Sequence, residues 1–152
     1  GSEPVLEKRD IVEDTKNTVD YLQTRVSQQV NFNFEAPQHP ILVEINPALH
    51  SWTIENLVKN AIDAMKGKGS LNIGISELED IVKISITDSG KGIPKNQFTK
   101  VFEPGFTTKK RGWGLGLSLT KRIVQEYHKG KIKVAHSEIG KGTTMQISYK
   151  TA

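Results

Sequence analysis

In Ile81-Val82-Lys83-Ile84-Ser85-Ile86-Thr87-Asp88, apolar Val82, Ile84 and Ile86 alternate with Lys83, Ser85 and Thr87. That period of two marks a strand with one buried face. Asp88 has the parity of the apolar set, so the strand ends with a carboxylate aimed inward, where it must find a donor. Working outward, Leu71, Ile73 and Ile75 alternate in the same way, and Ile132 to His136 with Thr143 to Tyr149 read as a hairpin-like pair. Asn31 to Glu35 and Ile41 to Ile45 are two further strands, separated by Pro37 and Pro40. Helical periodicity runs from Asp10 to about Gln29, from Pro47 to Met65 ahead of Gly67-Lys68-Gly69, and from Leu115 to Tyr127. A short helix is expected from Lys95 to Val101, and 102–113 carry neither period and read as a loop. Together these make an α+β domain: a mixed, mostly antiparallel sheet with helices against one face.

Composition bounds the chemistry. The 152 residues suit one domain; 36% are hydrophobic and 25% charged, as in an ordinary globular protein. A formal charge of +4 weakly favours anionic ligands, with nucleic acid not expected among the partners. The absence of cysteine excludes disulfides, thiolate zinc sites and cysteine nucleophiles. No apolar run approaches the roughly 18 residues of a membrane span. The opening Gly1-Ser2 reads as an expression scar on a piece of something longer, with 1–9 as a connector and 10–152 as the domain.

Polar residues gather at five places. The second helix carries Asn56, Asn60 and Asp63 at spacings of four and three, so they share one face. Asparagine is a poor helix former, and its amide oxygen is a hard ligand suited to magnesium; a solvated helix edge is the bland alternative. After Asp88 come Ser89-Gly90-Lys91-Gly92-Ile93-Pro94. Asp-x-Gly is commonly a tight turn. The functional reading is a pocket floor, with the carboxylate accepting a purine amino group and the glycines letting the ring approach. Gly112-Trp113-Gly114-Leu115-Gly116-Leu117 runs from loop into helix, behind Thr107, Thr108, Lys109, Lys110 and Arg111. Free N–H groups at a helix start and neighbouring cations suit phosphates, and the same glycines suit a hinge. Phe102 and Phe106, either side of Pro104, are expected to anchor that loop. Gly140-Lys141-Gly142-Thr143-Thr144 opens the last strand, with Thr144 a candidate for lining the pocket.

In order and spacing, these segments resemble the asparagine box, the phenylalanine box and the three glycine boxes of the histidine-kinase ATPase domain. That superfamily is shared with gyrase, heat-shock chaperone and mismatch-repair ATPases. The resemblance covers about Asp10 to Tyr149. It implies a two-layer sandwich of a mixed sheet on about three helices, of the Bergerat ATP-binding type, with a mobile lid. It also implies roles: Asn60 ligating magnesium, Asn56 assisting at the phosphates, Asp88 binding the adenine amino group with Gly90, Gly92 and Thr144. Ile93, Asp63, Phe102 and Leu117 join the nucleotide site. Thr107, Thr108 and Lys109 or Arg111, with Gly112, Gly114, Leu115 and Gly116, would hold the phosphates, with Asn56, Lys109 and Arg111 the candidates for catalysis. Phe102-Glu103-Pro104-Gly105-Phe106-Thr107-Thr108-Lys109 points to histidine kinases within the superfamily. Gly105 stands where an aromatic is more frequent, and Trp113 where a small residue is often found. A gyrase-like ATPase would have a glutamate at position 56.

The implied activity is transfer of the ATP γ-phosphate to a histidine on a separate dimerisation domain, then to a response regulator. The fragment is expected to be monomeric and its parent a homodimer. Both are expected to be cytoplasmic, with the parent's membrane anchoring left open. His39, His50, His128 and His136 precede Pro, Ser, Lys and Ser, so none shows the His-Glu or His-Asp pair of an acceptor helix. His50 and His128 are read as helix-surface residues. The competing class is an ATP-dependent binding module, anti-sigma-like or a kinase without activity.

Overall fold

The computed structural model describes residues 4–106 and 116–152. In chain order the elements are β1 (Glu7–Asp10), α1 (Ile11–Gln23), β2 (Val30–Glu35), β3 (Leu42–Ile45), α2 (Pro47–Ala64), β4 (Gly69–Leu78), β5 (Ile81–Asp88), α3 (Gly116–Arg122), β6 (Lys131–Glu138) and β7 (Gly142–Lys150). The main sheet has the order β2-β4-β5-β7-β6, with β2 and β4 parallel and the other pairs antiparallel. A parallel pair needs a crossover, and here the chain crosses through β3 and α2. The inward rows, among them Leu71, Ile73, Val82, Ile84, Ile86 and Ile147, meet Ile11, Ile54, Leu57 and Val58 from the helices in one core. This is the expected α+β sandwich. Among the described residues, no helix is long and apolar enough to cross a membrane.

Four local readings need correction. The first helix ends at Gln23 rather than near Gln29. Thr24 Oγ1 donates to the Tyr21 carbonyl at 2.7 Å and Ser27 Oγ accepts the Gln29 N–H at 3.0 Å, so hydroxyls there bond the backbone in place of helical partners. Glu7–Asp10, which include most of the end of the presumed connector, form a strand antiparallel to β3 in a separate two-stranded sheet. The segment after Pro94 is not one helix but two 3₁₀ turns, Lys95–Gln97 and Lys100–Phe102. The third helix widens after Arg122 into a π-helical stretch, Ile123–Tyr127, closed by the His128 N–H on the Ile123 carbonyl at 3.1 Å.

α2 starts as its sequence dictates. Asn46 caps it by accepting the Leu49 N–H at 3.0 Å, and Pro47 takes the first turn. His50, on the inward side of that helix, is 0% exposed, and His128 is 7% exposed, so neither is a surface residue. His50 Nε2 lies 2.8 Å from Thr15 Oγ1, and His128 Nε2 accepts the Asn46 N–H at 3.0 Å. Both rings pack edge-on to Tyr149, at 6.4 and 5.7 Å between centroids. The Nδ1 atoms of both histidines and the Tyr149 hydroxyl are buried with no hydrogen-bond partner among the described residues. Burial pushes the pKa of each histidine down to about 4, with His128 adding to the effect at His50.

That depression makes the domain acid-sensitive. The unfolded chain takes up protons below about pH 6.5, while the folded histidines stay neutral down to about 4. Stability is therefore whole above pH 6.5 and falls between there and pH 4. At pH 5 the linkage amounts to roughly 2 kcal/mol per histidine relative to pH 7. Urea unfolding at the two pH values is expected to differ by about 4 kcal/mol. Replacing both histidines is expected to remove most of that slope; equal stabilities for the parent chain at pH 5 and 7 would contradict it.

Candidate functional site

The last inward position of β5 is Asp88, 7% exposed. Its Oδ1 accepts the Gly90 N–H at 2.8 Å and the Thr143 N–H at 3.3 Å. Burial raises the Asp88 carboxyl pKa above its usual value, and those two donors oppose the rise. The expected inward carboxylate is thus present, held at the strand end by backbone donors from two different segments.

The glycines after it lie against protein backbone. A Cβ on Gly90 would stand 2.5 Å from the Ala64 carbonyl oxygen, and one on Gly92 2.3 Å from that of Glu138. These positions admit protein backbone, the end of α2 and the β6–β7 turn, before any ligand ring. The Lys91 N–H donates to the Ala64 carbonyl at 3.1 Å, and the Gly140 N–H to the Lys91 carbonyl at 2.8 Å. The loop is clamped from both sides.

Thr144, expected to line the pocket, does not share a face with Asp88. In the β5–β7 register Thr144 faces Thr87, and their hydroxyls lie 2.9 Å apart on the outer face of the sheet. Thr143 is opposite Asp88, buried on the same side as the carboxylate. The parity of Met145, Ile147 and Tyr149, all buried, would have identified it.

On α2, Asn56 and Asn60 are half-buried and Asp63 is exposed, on one face as the spacing required. Asn56 Nδ2 donates to Thr120 Oγ1 at 2.7 Å, and Thr120 Oγ1 donates to the Gly116 carbonyl at 2.7 Å. A Cβ on Gly116 would meet Asn56 Oδ1 at 3.1 Å, so α3 begins against this asparagine. Thr120, fully buried, is the partner of Asn56 and was not among the residues the sequence singled out. α2 therefore touches the start of α3 at Asn56 and the Asp88 loop at Ala64. Eight residues of helix separate those contacts by about 12 Å, with Asn60 midway. Phe102 is buried, with Lys121 Nζ 5.8 Å from its ring centre, and Ile93, Phe106 and Leu117 pack partly buried against the core. Thr107, Thr108, Lys109, Lys110, Arg111, Gly112, Trp113, Gly114 and Leu115 lie outside the described residues.

Gly92 and Gly140 share a φ of +81°, but nothing lies within 4 Å of a Cβ on Gly140. The pair separates left-handed strain from close approach. Gly140→Ala is expected to cost about 1 kcal/mol of unfolding free energy and Gly92→Ala about 3 kcal/mol or more. Equal losses in a denaturant titration would contradict the clamp.

Comparison with known proteins bears on the family and the fold. The family described as "Histidine kinase-, DNA gyrase B-, and HSP90-like ATPase" matches residues 49–152. Sensor histidine kinase ZraS of Escherichia coli is 40% identical over 121 residues, 80% of this chain and 26% of that protein. Sporulation kinase A of Bacillus subtilis is 43% identical over 95 residues, 62% of this chain and 15% of that protein. The chain thus spans about a quarter or less of these two relatives. The solved catalytic domain of histidine kinase ThkA superposes with a TM-score of 0.85 at 27% identity, covering 95% of each chain. A second ThkA structure, in complex with response regulator protein TrrA, matches with a TM-score of 0.83 at 26% identity, over 97% of this chain and 42% of that one. With 104 of 152 residues inside the family match (49 to 152 inclusive), the chain belongs to the histidine kinase-, DNA gyrase B- and HSP90-like ATPase family.

Proposed function

We propose that this domain binds ATP with magnesium and delivers the γ-phosphoryl group to a histidine on a separate dimerisation domain, from which a response regulator takes it. The observation that carries this reading is the buried Asp88 carboxylate, fixed by two backbone N–H groups at one end of the α2 span. It suits the exocyclic amino group of adenine, a neutral donor that a desolvated carboxylate binds strongly. The other end of the span, where Asn56 meets the start of α3, suits the phosphates. The cations and hydroxyls for the phosphates are proposed from the sequence alone, Lys109 or Arg111 with Thr107 and Thr108, all outside the described residues.

Asn60, half-buried between the two ends, would hold a magnesium ion through its amide oxygen, a hard ligand on a rigid helix. When bound, the metal neutralises charge on the phosphates. The chain's own part is positioning. Asn56 locks α3 against α2 through Thr120, so the phosphate end keeps a fixed distance from Asp88. Phosphoryl transfer needs such placement and charge stabilisation more than a covalent helper.

The acceptor belongs elsewhere. His50 and His128 are buried out of reach of a phosphate, and the exposed His39 and His136 lack the His-Glu or His-Asp pair of an acceptor helix. Asn56 has no ionisable group to activate water, so the isolated domain is expected to hydrolyse ATP slowly. Robust steady-state hydrolysis would count against the kinase reading.

The direct test mixes the domain with a separately made dimerisation fragment, magnesium and γ-labelled ATP. Label on the fragment that is lost in acid and kept in base is the expected phosphohistidine. ATP binding without transfer would favour the ATP-gated binding module.

A further inference from the structure

The β6–β7 hairpin contains a bulge whose effect reaches the candidate site. Ile132 and Val134 point inward, and regular alternation would send 136 inward and 137 outward. Instead the register shifts between Val134 and His136, which puts His136 opposite Thr144 on the outer face and Ser137 opposite Thr143 on the inner one. A bulge re-aims a side chain in this way. Ser137, Thr143 and Asp88 then form one row across β6, β7 and β5.

The Ser137 hydroxyl is fully engaged there. Its Oγ accepts the Ile93 N–H at 2.7 Å, lies 2.7 Å from Thr143 Oγ1 and 3.1 Å from the Gly142 carbonyl. A hydroxyl has one proton to give and two lone pairs. All three contacts are satisfied when Ser137 donates to Gly142 and Thr143 donates to Ser137. In that arrangement the Thr143 proton is committed to Ser137, and the Thr143 lone pairs stand on the row that holds Asp88. Of the ties holding the loop after Asp88, the Lys91 N–H to the Ala64 carbonyl and the Gly140 N–H to the Lys91 carbonyl are backbone bonds. The tie at Ile93 is made by a side chain, so substitution can remove it.

We propose that Ser137 is a positioning residue that fixes the Thr143 hydroxyl and the Ile93 backbone, and so sets the pocket's selectivity for a base bearing an amino group. This rests on the nucleotide-site reading above. The chain lacking the Ser137 hydroxyl keeps Asp88 but frees Thr143 to rotate and offer its proton. Selectivity for the amino group then declines without loss of the fold.

The test is calorimetric titration of the 152-residue chain with magnesium-ATP and with the magnesium complex of purine riboside triphosphate, which lacks the 6-amino group. Ser137→Ala is expected to reduce the ATP advantage about tenfold, the scale of one well-placed hydrogen bond. Ser137→Thr, which keeps the hydroxyl, is expected to restore it. If the alanine variant does not fold, Ser137→Cys, with a weak donor and acceptor of similar size, is expected to lie in between. An unchanged ratio in a folded variant would overturn the role of Ser137, whatever the absolute affinities. A parent chain that binds neither nucleotide would overturn the site reading itself, and this inference with it.

Discussion

A carboxylate at the inner end of a central strand must be given donors, because an unpaired charge out of water costs more than one domain can spare. Asp88 gets them from Gly90, two residues on, and from Thr143, across the sheet. The second donor exists because β7 lies beside β5, in the register that sets Thr143 opposite Asp88. Strand order, hairpin register and the crowded glycines are thus tied to one side chain. Gly90 lets the loop lie against the end of α2, and Gly92 lets it lie against the β6–β7 turn. Neither position has space for a methyl group, so the loop is fixed by protein before any ligand arrives.

The second constraint is the contact between α2 and α3. Asn56, Thr120 and Gly116 make a short relay in which each donor has one acceptor. With it, α2 becomes a spacer between the Asp88 loop and the start of α3. A helix is stiff over two turns, so the distance between the two ends is set by residue count. Asn56, Asn60 and Asp63 lie along that span, while Ile54, Leu57, Val58 and Ala61 bury the opposite side.

Much of this is legible in the sequence, and the failures have physical causes. Strict alternation in β4, β5 and β7 fixes which side is buried, and Asp88 follows from parity alone. Asn46-Pro47 marks the start of α2 because the cap and the first-turn proline act locally. β1 carries no such signal: Glu7, Lys8, Arg9 and Asp10 are all charged, and the strand exists through pairing with β3. The burial of His50 was available, since His50, Thr53, Ile54 and Leu57 keep helical spacing on the inward face. Reading histidine as polar by default concealed it. Thr143 was equally available from the parity of Met145, Ile147 and Tyr149. Ser137 was not, because a bulge inverts parity and nothing in Lys131–Glu138 announces one. Thr120 lies between these cases: a buried helical threonine that returns its proton to the backbone four residues earlier, and so leaves its lone pairs for Asn56.

The central claim is that the Asp88 carboxylate reads an amino group on a bound purine. Titrating magnesium-ATP into the parent chain and into Asp88→Asn, with denaturant unfolding run on both, tests it most directly. The account predicts that the parent binds and that the variant, still folded, binds at least about thirtyfold more weakly, in the range of a charge-assisted hydrogen bond to a buried carboxylate. A folded Asp88→Asn chain with the parent's affinity would contradict it.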